Sequence, residues 1–231
     1  MTASATWVDA TVAALTPLAG TADAKGMQAY MKGVAPFLGV TTPDRRRALR
    51  SAWTPLNPLD PDGVTAAVRA LWALPEREYQ YAACDLIGRH VRGLPGVFVA
   101  DPVQDLLTTR PWWDTVDSLG SVAITPLVAR HPENVELMWS WLDSGDRWLI
   151  RAALQHQRGL RDRTDLDRLF TMCERFAADR EFFIAKAIGW ALRDATRWDA
   201  PAVQMFVDQH PGLTPVARRE ATKGLSRSAH P

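Results

Sequence analysis

The stretch Asp62–Leu74, with the sequence DGVTAAVRALWAL, carries the pattern that decides the fold. Val64, Val68, Leu71 and Trp72 are spaced i, i+4, i+7 and i+8, so a helix places all four side chains on one face. Similar apolar stripes occur at Tyr79, Ala82, Ala83, Leu86 and Ile87, at Val135, Met138, Trp139 and Leu142, at Leu166, Leu169, Phe170 and Cys173, and at Phe183, Ala187, Trp190 and Ala191. The alternating pattern of a strand is nearly absent. The sequence therefore predicts an all-helical fold.

Helix starts are marked by a proline next to a capping residue. Such signals stand at Thr42-Pro43-Asp44, Asp60-Pro61-Asp62, His131-Pro132-Glu133 and Thr214-Pro215. They divide the chain into about a dozen helices with short connections. Because no linker is long enough to separate two domains, we predict a single domain that spans residues 1–231.

Four arginines recur at a nearly constant interval. Arg77, Arg110, Arg147 and Arg180 lie 33, 37 and 33 residues apart, and each precedes a large apolar residue by two positions and a small residue by five. This interval is typical of HEAT-like helical pairs. It predicts an α-solenoid with a concave inner surface, whose shape and size suit double-stranded DNA, and a frayed tail at 226–231.

The charge and aromatic content give mixed signals about nucleic acid. The net charge is only +1, but arginine outnumbers lysine 23 to 4. Arginine suits bidentate contacts to phosphate, although codon usage in a GC-rich genome explains the same bias. Ten Trp residues are many for this length, and a buried indole N–H needs a partner. The excess suggests that some of these rings line a groove or a site.

The two cysteines, Cys84 and Cys173, lie far apart and outside any CxxC or Cys/His cluster. No metal site is predicted, and buried free thiols fit a reducing compartment. The N-terminal residues lack a basic leader with a long apolar stretch, and no segment approaches the ~20 apolar residues of a membrane span. We therefore expect a cytoplasmic protein that does not contact the membrane.

The most unusual local sequence is RPWWDTVDS, residues 110–118. Pro111 suits a first helical turn, which places Trp113 and Asp117 one above the other at i and i+4. A carboxylate beside an indole face is not typical of a hydrophobic core, so the pair is a candidate site. The alternative is that Trp113 belongs to the core and Asp117 is solvated or paired with an arginine.

Two further segments carry candidate residues. In the helix around 183–193, Gly189 stands in mid-helix next to Trp190, which favours either close helix packing or the approach of a ligand. Trp190 itself is either core or groove-facing. In the segment 146–153, Arg147 and Arg151 share one helix face, as ligand contacts or as solvated surface. These segments fall at equivalent places in successive repeats, which favours the functional interpretation.

Three long strings of this chain are distinctive: WWDTVDS at 112–118, DRWLIRAA at 146–153 and EFFIAKAIGWALRD at 181–194. They closely resemble the corresponding segments of bacterial DNA alkylation-repair glycosylases of the AlkD type. Further similar segments stand at 29–32, 39–46, 74–78 and 218–221, so the resemblance covers roughly residues 25–225 in the family's order. The resemblance implies a right-handed α-solenoid of HEAT-like repeats, with core repeats at about 25–225 and a concave DNA-binding face.

The resemblance implies an enzyme that excises N-alkylated purines such as 3-methyladenine and 7-methylguanine from duplex DNA without flipping the base. It implies that Asp117, Trp113 and Trp190 are catalytic, that Arg151 engages the phosphate backbone, and that Tyr30 lines the same groove. Further candidates for phosphate contacts are Lys32, Arg45, Arg46, Lys186 and Arg193. No cofactor and no metal are expected. The expected partner is double-stranded DNA containing alkylated purines, bound by a monomer with no obligate protein partner.

Two alternatives belong to other functional classes. One is a non-catalytic HEAT-like scaffold for a protein partner, and the other is a relative that binds DNA structures without cleavage. The presence of Asp117 between matching tryptophans counts against the scaffold. A Ser-His-Asp hydrolase is not supported, because no GxSxG motif occurs.

Overall fold

The computed structural model describes residues 2–228, and its helices agree with the predicted all-α fold. Within that range there are fourteen α-helices and no strand. The helices are α1 Ala3–Leu15, α2 Ala24–Tyr30, α3 Thr42–Trp53, α4 Pro61–Ala73, α5 Arg77–His90, α6 Val103–Thr108, α7 Trp113–Leu119, α8 Thr125–Arg130, α9 Val135–Asp143, α10 Arg147–Leu154, α11 Leu166–Arg175, α12 Phe182–Ala195, α13 Ala200–Gln209 and α14 Pro215–Ser228. Short 3₁₀ turns join several of them, and a π-helical segment occupies Gly120–Ile124. The chain forms two compact units, one ending at Ala123 and one beginning at Ile124.

Most of the predicted helix starts are correct. Thr41 and Asp60 cap α3 and α4 by accepting a hydrogen bond from a backbone N–H three residues on, and a proline occupies the first turn of each. At His131-Pro132-Glu133 the structure differs, because a 3₁₀ turn at Pro132–Asn134 precedes α9. Pro111 also lies ahead of its helix, since α7 begins at Trp113 with Trp112 in extended conformation at the cap.

The first unit is centred on the pair α4 and α5. Val64, Val68, Leu71 and Trp72 are all buried, as their spacing predicts. The indole N–H of Trp72 donates to the carbonyl of Thr109 at 2.8 Å, which satisfies the polar end of a buried ring. The stripe that indicated a helix therefore also forms the core of this unit.

The second unit is organised around α12, which packs most extensively against α14. Gly189 makes this possible. A Cβ at that position would lie 2.5 Å from the Cβ of Glu220 and 2.9 Å from the carbonyl oxygen of Ala217. Close helix packing, one of the two explanations for this mid-helix glycine, is therefore the one observed.

Polar contacts within each unit repeatedly join residues about one repeat apart. In the first unit Arg77 pairs with Asp114, 37 residues on. In the second, Arg147 pairs with Glu181 and Lys186 with Glu220, each 34 residues on. These separations match the interval read from the sequence. They are what a helical solenoid-type fold requires, because each repeat packs against its neighbours in sequence.

Several remaining predictions concern individual residues. Cys84 and Cys173 are free and buried, and burial raises the pKa of both thiols to about 12. No helix among the described residues is long and apolar enough to cross a membrane. The tail predicted to fray is described only in part, since α14 includes residues 226–228 and residues 229–231 lie outside the described range.

Candidate active site

Helix α7 carries Trp113 and Asp117, and its opposite side is firmly anchored. Thr115, Val116 and Leu119 are buried against the first unit. Trp113 and Asp117 are both half-buried, so they lie at the surface of the unit without being fully solvated. The arrangement agrees with the i, i+4 spacing, which places both side chains on one face of α7.

The anchor of α7 is a buried ion pair between Arg77 and Asp114. The guanidinium donates from Nη2 to Oδ1 at 2.7 Å and from Nε to Oδ2 at 3.0 Å, in the bidentate geometry that gives the strongest pairs. Tyr81 donates its hydroxyl to the same carboxylate at 2.6 Å. Burial and the adjacent Asp114 raise the pKa of Tyr81 above its ordinary value, so this phenol stays protonated as a donor. The network fixes the direction in which α7 presents its other face.

A π-helical segment, Gly120–Ile124, follows α7 directly. The Gly120 N–H bonds to the carbonyls of Asp117 and Val116, and the Ser121 hydroxyl donates to the Asp117 carbonyl at 3.0 Å. Segments of this kind are rare and occur frequently at functional sites. The backbone of Asp117 is therefore held at a change of helical pitch.

Tyr30 lies beside Trp113. Their ring centroids are 6.3 Å apart and the rings meet edge to face at 81°. Tyr30 is 70% exposed, which leaves its hydroxyl end accessible. Trp113 and Tyr30 thus form an aromatic edge on the first unit.

A cavity of about 330 Å³ borders this edge in the first unit. Its lining residues are Met27, Tyr30, Met31, Phe37, Val40, Thr42, Arg45, Arg46, Glu78, Tyr81, Asp114 and Ser118. The two arginines differ in availability. Arg45 is buried, donates to Asp85 at 3.0 Å and lies 5.0 Å from the centre of the Tyr81 ring. Arg46 shares Asp85 at 3.2 Å but keeps a largely exposed side chain.

Lys32 follows α2 in the left-handed backbone region, with φ of 59°, and its side chain is exposed. Its position in a turn was not evident from the sequence. Of the three basic residues predicted in this unit, Lys32 and Arg46 are therefore the accessible ones. Sequence patterns alone could not show that Arg45 is less accessible than these two residues, because its partner Asp85 lies 40 residues away.

In the second unit, four cationic side chains surround Trp190. Three were predicted from the sequence: Lys186 Nζ lies 5.7 Å from the ring centre, and the guanidinium carbons of Arg193 and Arg151 lie at 5.6 Å and 5.5 Å. The fourth is Arg158, at 5.1 Å. Sequence reasoning missed Arg158 because it belongs to the irregular turns after α10, where helical spacing gives no guide.

Arg151 is the buried member of this group. Its side chain is almost fully enclosed and donates from Nη1 to the carbonyl of Phe183 at 2.7 Å. The interpretation of Arg151 as solvated surface is therefore wrong. Trp190 is half-buried, and its indole nitrogen is enclosed with no hydrogen-bond partner among the described residues. A ring with cations around it attracts anions to its surroundings, which fits a phosphate-binding surface.

Comparison with known proteins identifies the family of this chain. The model of a family described as DNA alkylation repair enzyme matches residues 11–225. The chain belongs to this family. It is also similar to the solved structure of a predicted DNA alkylation repair enzyme from Enterococcus faecalis, with a TM-score of 0.81 and 28% identity over 88% of this chain and 95% of that one. No curated protein matches the chain.

Membership in this DNA alkylation repair family agrees with the strings that carried the resemblance. All the candidate residues lie inside the matched range. The structure brings Tyr30 together with Trp113 in the first unit, and Arg151, Lys186 and Arg193 together with Trp190 in the second. Among the described residues, no group of three or more metal-ligating side chains is present.

Proposed function

We propose that the protein is an AlkD-type DNA glycosylase that hydrolyses the N-glycosidic bond of cationic N-alkylated purines, such as 3-methyladenine and 7-methylguanine, in duplex DNA. The observation that carries the proposal is the placement of two acidic residues on α7. Asp114 fixes the helix by pairing with Arg77 and Tyr81, and Asp117 lies half-buried on the face that also bears Trp113. A helix fixed through one carboxylate can present the other as a reactive group.

The chemistry suits a carboxylate beside aromatic rings. Alkylation at a ring nitrogen makes the purine cationic, so the base leaves as a neutral molecule when its bond to C1′ breaks. Positive charge then develops on the sugar, as in glycoside hydrolysis. The Asp117 carboxylate stabilises that charge and orients the water whose oxygen forms the new bond to C1′. The proton of this water passes to Asp117 or to solvent, which leaves an abasic site.

Trp113 and Trp190 are proposed to stabilise the same charge through their ring faces, at about 0.5–2 kcal/mol each. Such a site recognises a charge rather than a base edge. It therefore favours cationic lesions without a pocket for a flipped base, unlike many enzymes that act on nucleobases. This is consistent with the proposal that the base stays in the duplex.

The basic side chains supply the affinity for DNA. In the second unit, Arg158, Lys186 and Arg193 form a cationic cluster around Trp190, and the enclosed Arg151 adds its positive charge to that cluster. In the first, the exposed Arg46 and Lys32 and the ring of Tyr30 are proposed to contact the backbone. Binding through phosphates falls steeply as the salt concentration rises, because each contact releases condensed counterions.

We further propose that residues 1–231 act as one HEAT-like repeat domain and that the protein works in the cytoplasm as a monomer without a cofactor. The test of the function is incubation with methylated duplex DNA, followed by chromatography of the released bases. Release of 3-methyladenine or 7-methylguanine supports a glycosylase. DNA binding with no release favours a structure-binding relative, and absence of DNA binding favours a protein scaffold.

A further inference from the structure

The string Arg218-Arg219-Glu220-Ala221 belongs to the family resemblance, yet none of its residues has a role in the proposed reaction. In the structure, Glu220 projects from α14 toward α12 and is almost fully buried. Its Oε1 accepts from Lys186 Nζ at 2.9 Å and its Oε2 accepts from Arg193 Nη1 at 3.0 Å. A single carboxylate thus holds two of the four cations around Trp190.

The spacing along α12 explains why one residue can do this. Lys186, Trp190 and Arg193 are related by i, i+4 and i+7, so they form one stripe with the indole between the two cations. Gly189 removes the side chain that would keep α14 away, and the Cβ of Glu220 lies directly against it. The carboxylate therefore reaches both cations of the stripe from beside the ring.

The charge of this carboxylate is well stabilised. Burial alone would raise the pKa of Glu220, but hydrogen bonds from Lys186 and Lys223 outweigh it and lower the pKa to about 2. The group is anionic throughout the range in which an enzyme of this kind works. It offsets one positive charge of the cluster, while Arg151 and Arg158 contact the same ring.

We propose that Glu220 is a positioning residue that fixes Lys186 and Arg193 on the two sides of Trp190 and limits how strongly this cluster binds DNA phosphates. The inference rests on the proposed glycosylase function. It concerns what controls the binding of DNA phosphates by the cationic cluster around Trp190 in the second unit. Removal of this carboxylate is expected to change DNA binding and base release in opposite directions. Removing the carboxylate frees two cations for phosphate, so DNA binding tightens, while the orientation of the cluster around Trp190 is lost, so base release slows.

The experiment compares Glu220→Gln with wild type, using undamaged duplex for affinity across a salt series and methylated duplex for single-turnover base release. We expect the slope of log Kobs against log salt to steepen by about 1.8 when both freed cations contact phosphate, which is about 0.9 for each contact. We expect base release at saturating protein to slow by about tenfold or more, as for other small misplacements of catalytic groups. A substitution that merely loosens the fold would weaken binding and leave the slope unchanged, and that result overturns the proposal.

Lys223→Ala is the matched control. Lys223 donates to the same Oε1 at 2.9 Å but is half-exposed and lies on α14 itself, so its removal should leave the slope unchanged and the rate within about threefold of wild type. Glu220→Asp keeps the charge on a shorter side chain and serves if Glu220→Gln fails to fold. It should retain the wild-type slope and release base more slowly than wild type.

The outcomes for the two hypotheses are separate. If wild type releases base and both Glu220 variants fold and match it in slope and rate, the positioning role is wrong and the glycosylase function stands. If wild type binds DNA but releases no base, the proposed function is wrong, and the salt slope alone decides whether Glu220 restrains the cations. If wild type binds no DNA, both are wrong.

Discussion

Replacing Gly189 with alanine should destabilise the second unit, although alanine is the better helix former. The gain in helix propensity is about 1 kcal/mol. Against it stands the new Cβ, which would lie 2.5 Å from the Cβ of Glu220, 2.9 Å from the carbonyl oxygen of Ala217 and 3.2 Å from its Cα. Two of these three atoms are backbone, so the contact cannot be relieved by rotating a flexible side chain.

The magnitude follows from overpacking. Forcing a methyl group into a filled contact costs about 1–3 kcal/mol and more where backbone must move. We expect a net loss of about 1–2 kcal/mol after the propensity gain. For a chain of this size, that corresponds to a fall in Tm of about 2–8 °C.

Thermal unfolding followed by circular dichroism measures the effect, and Gly88→Ala is the control. Gly88 is also inside a helix, but it is exposed, and a Cβ there would meet Val122 only at 3.5 Å and 3.6 Å, which is ordinary contact. Gly88→Ala should therefore stabilise by up to about 1 kcal/mol. If both variants raise the Tm equally, α12 and α14 can move apart freely and the argument from close approach is refuted.

Three further predictions concern the anchor, a buried histidine and the phosphate contacts. Arg77→Met leaves the buried Asp114 carboxylate without its cation and should cost about 3–5 kcal/mol in urea unfolding, with part recovered when Asp114→Leu is added. Burial lowers the pKa of His156 from 6.5 to about 4, so below pH 6.5 the unfolded chain binds a proton that the folded chain does not. Stability is thus present above pH 6.5 and should fall by up to about 3 kcal/mol toward pH 4, and His156→Gln should abolish that part of the pH dependence. Arg46→Gln should reduce the salt slope of DNA binding by about 0.9, whereas Arg47→Gln, on the same helix but outside the cavity, should not.

Helical periodicity was sufficient for the fold class because it is a local property. The i, i+4, i+7, i+8 stripe of α4 is buried as expected, and a capping residue with a proline in the first turn marks the start of α3 and of α4. The same local reasoning placed Trp113 and Asp117 on one face of α7. It failed at Pro111, where the extended Trp112 separates the proline from the helix that it was expected to begin.

The partners of the site residues could not be predicted, because they are set by contacts far along the chain. Asp85 occupies Arg45 from 40 residues away, and Glu220 binds Arg193 from 27 residues away. Periodicity shows which face of a helix is apolar, but it does not predict which charged residue elsewhere in the chain will pair with a residue of that helix.

The most direct test of the central proposal is the single-turnover rate of base release from methylated duplex DNA by Asp117→Asn, measured with its DNA affinity. Asp9→Asn is the control, because it makes the same charge change at an exposed position of the same unit. We predict that Asp117→Asn binds DNA like wild type and releases base at least about 100-fold more slowly, a loss of about 2.7 kcal/mol of transition-state stabilisation. Release at the wild-type rate by Asp117→Asn would contradict the account.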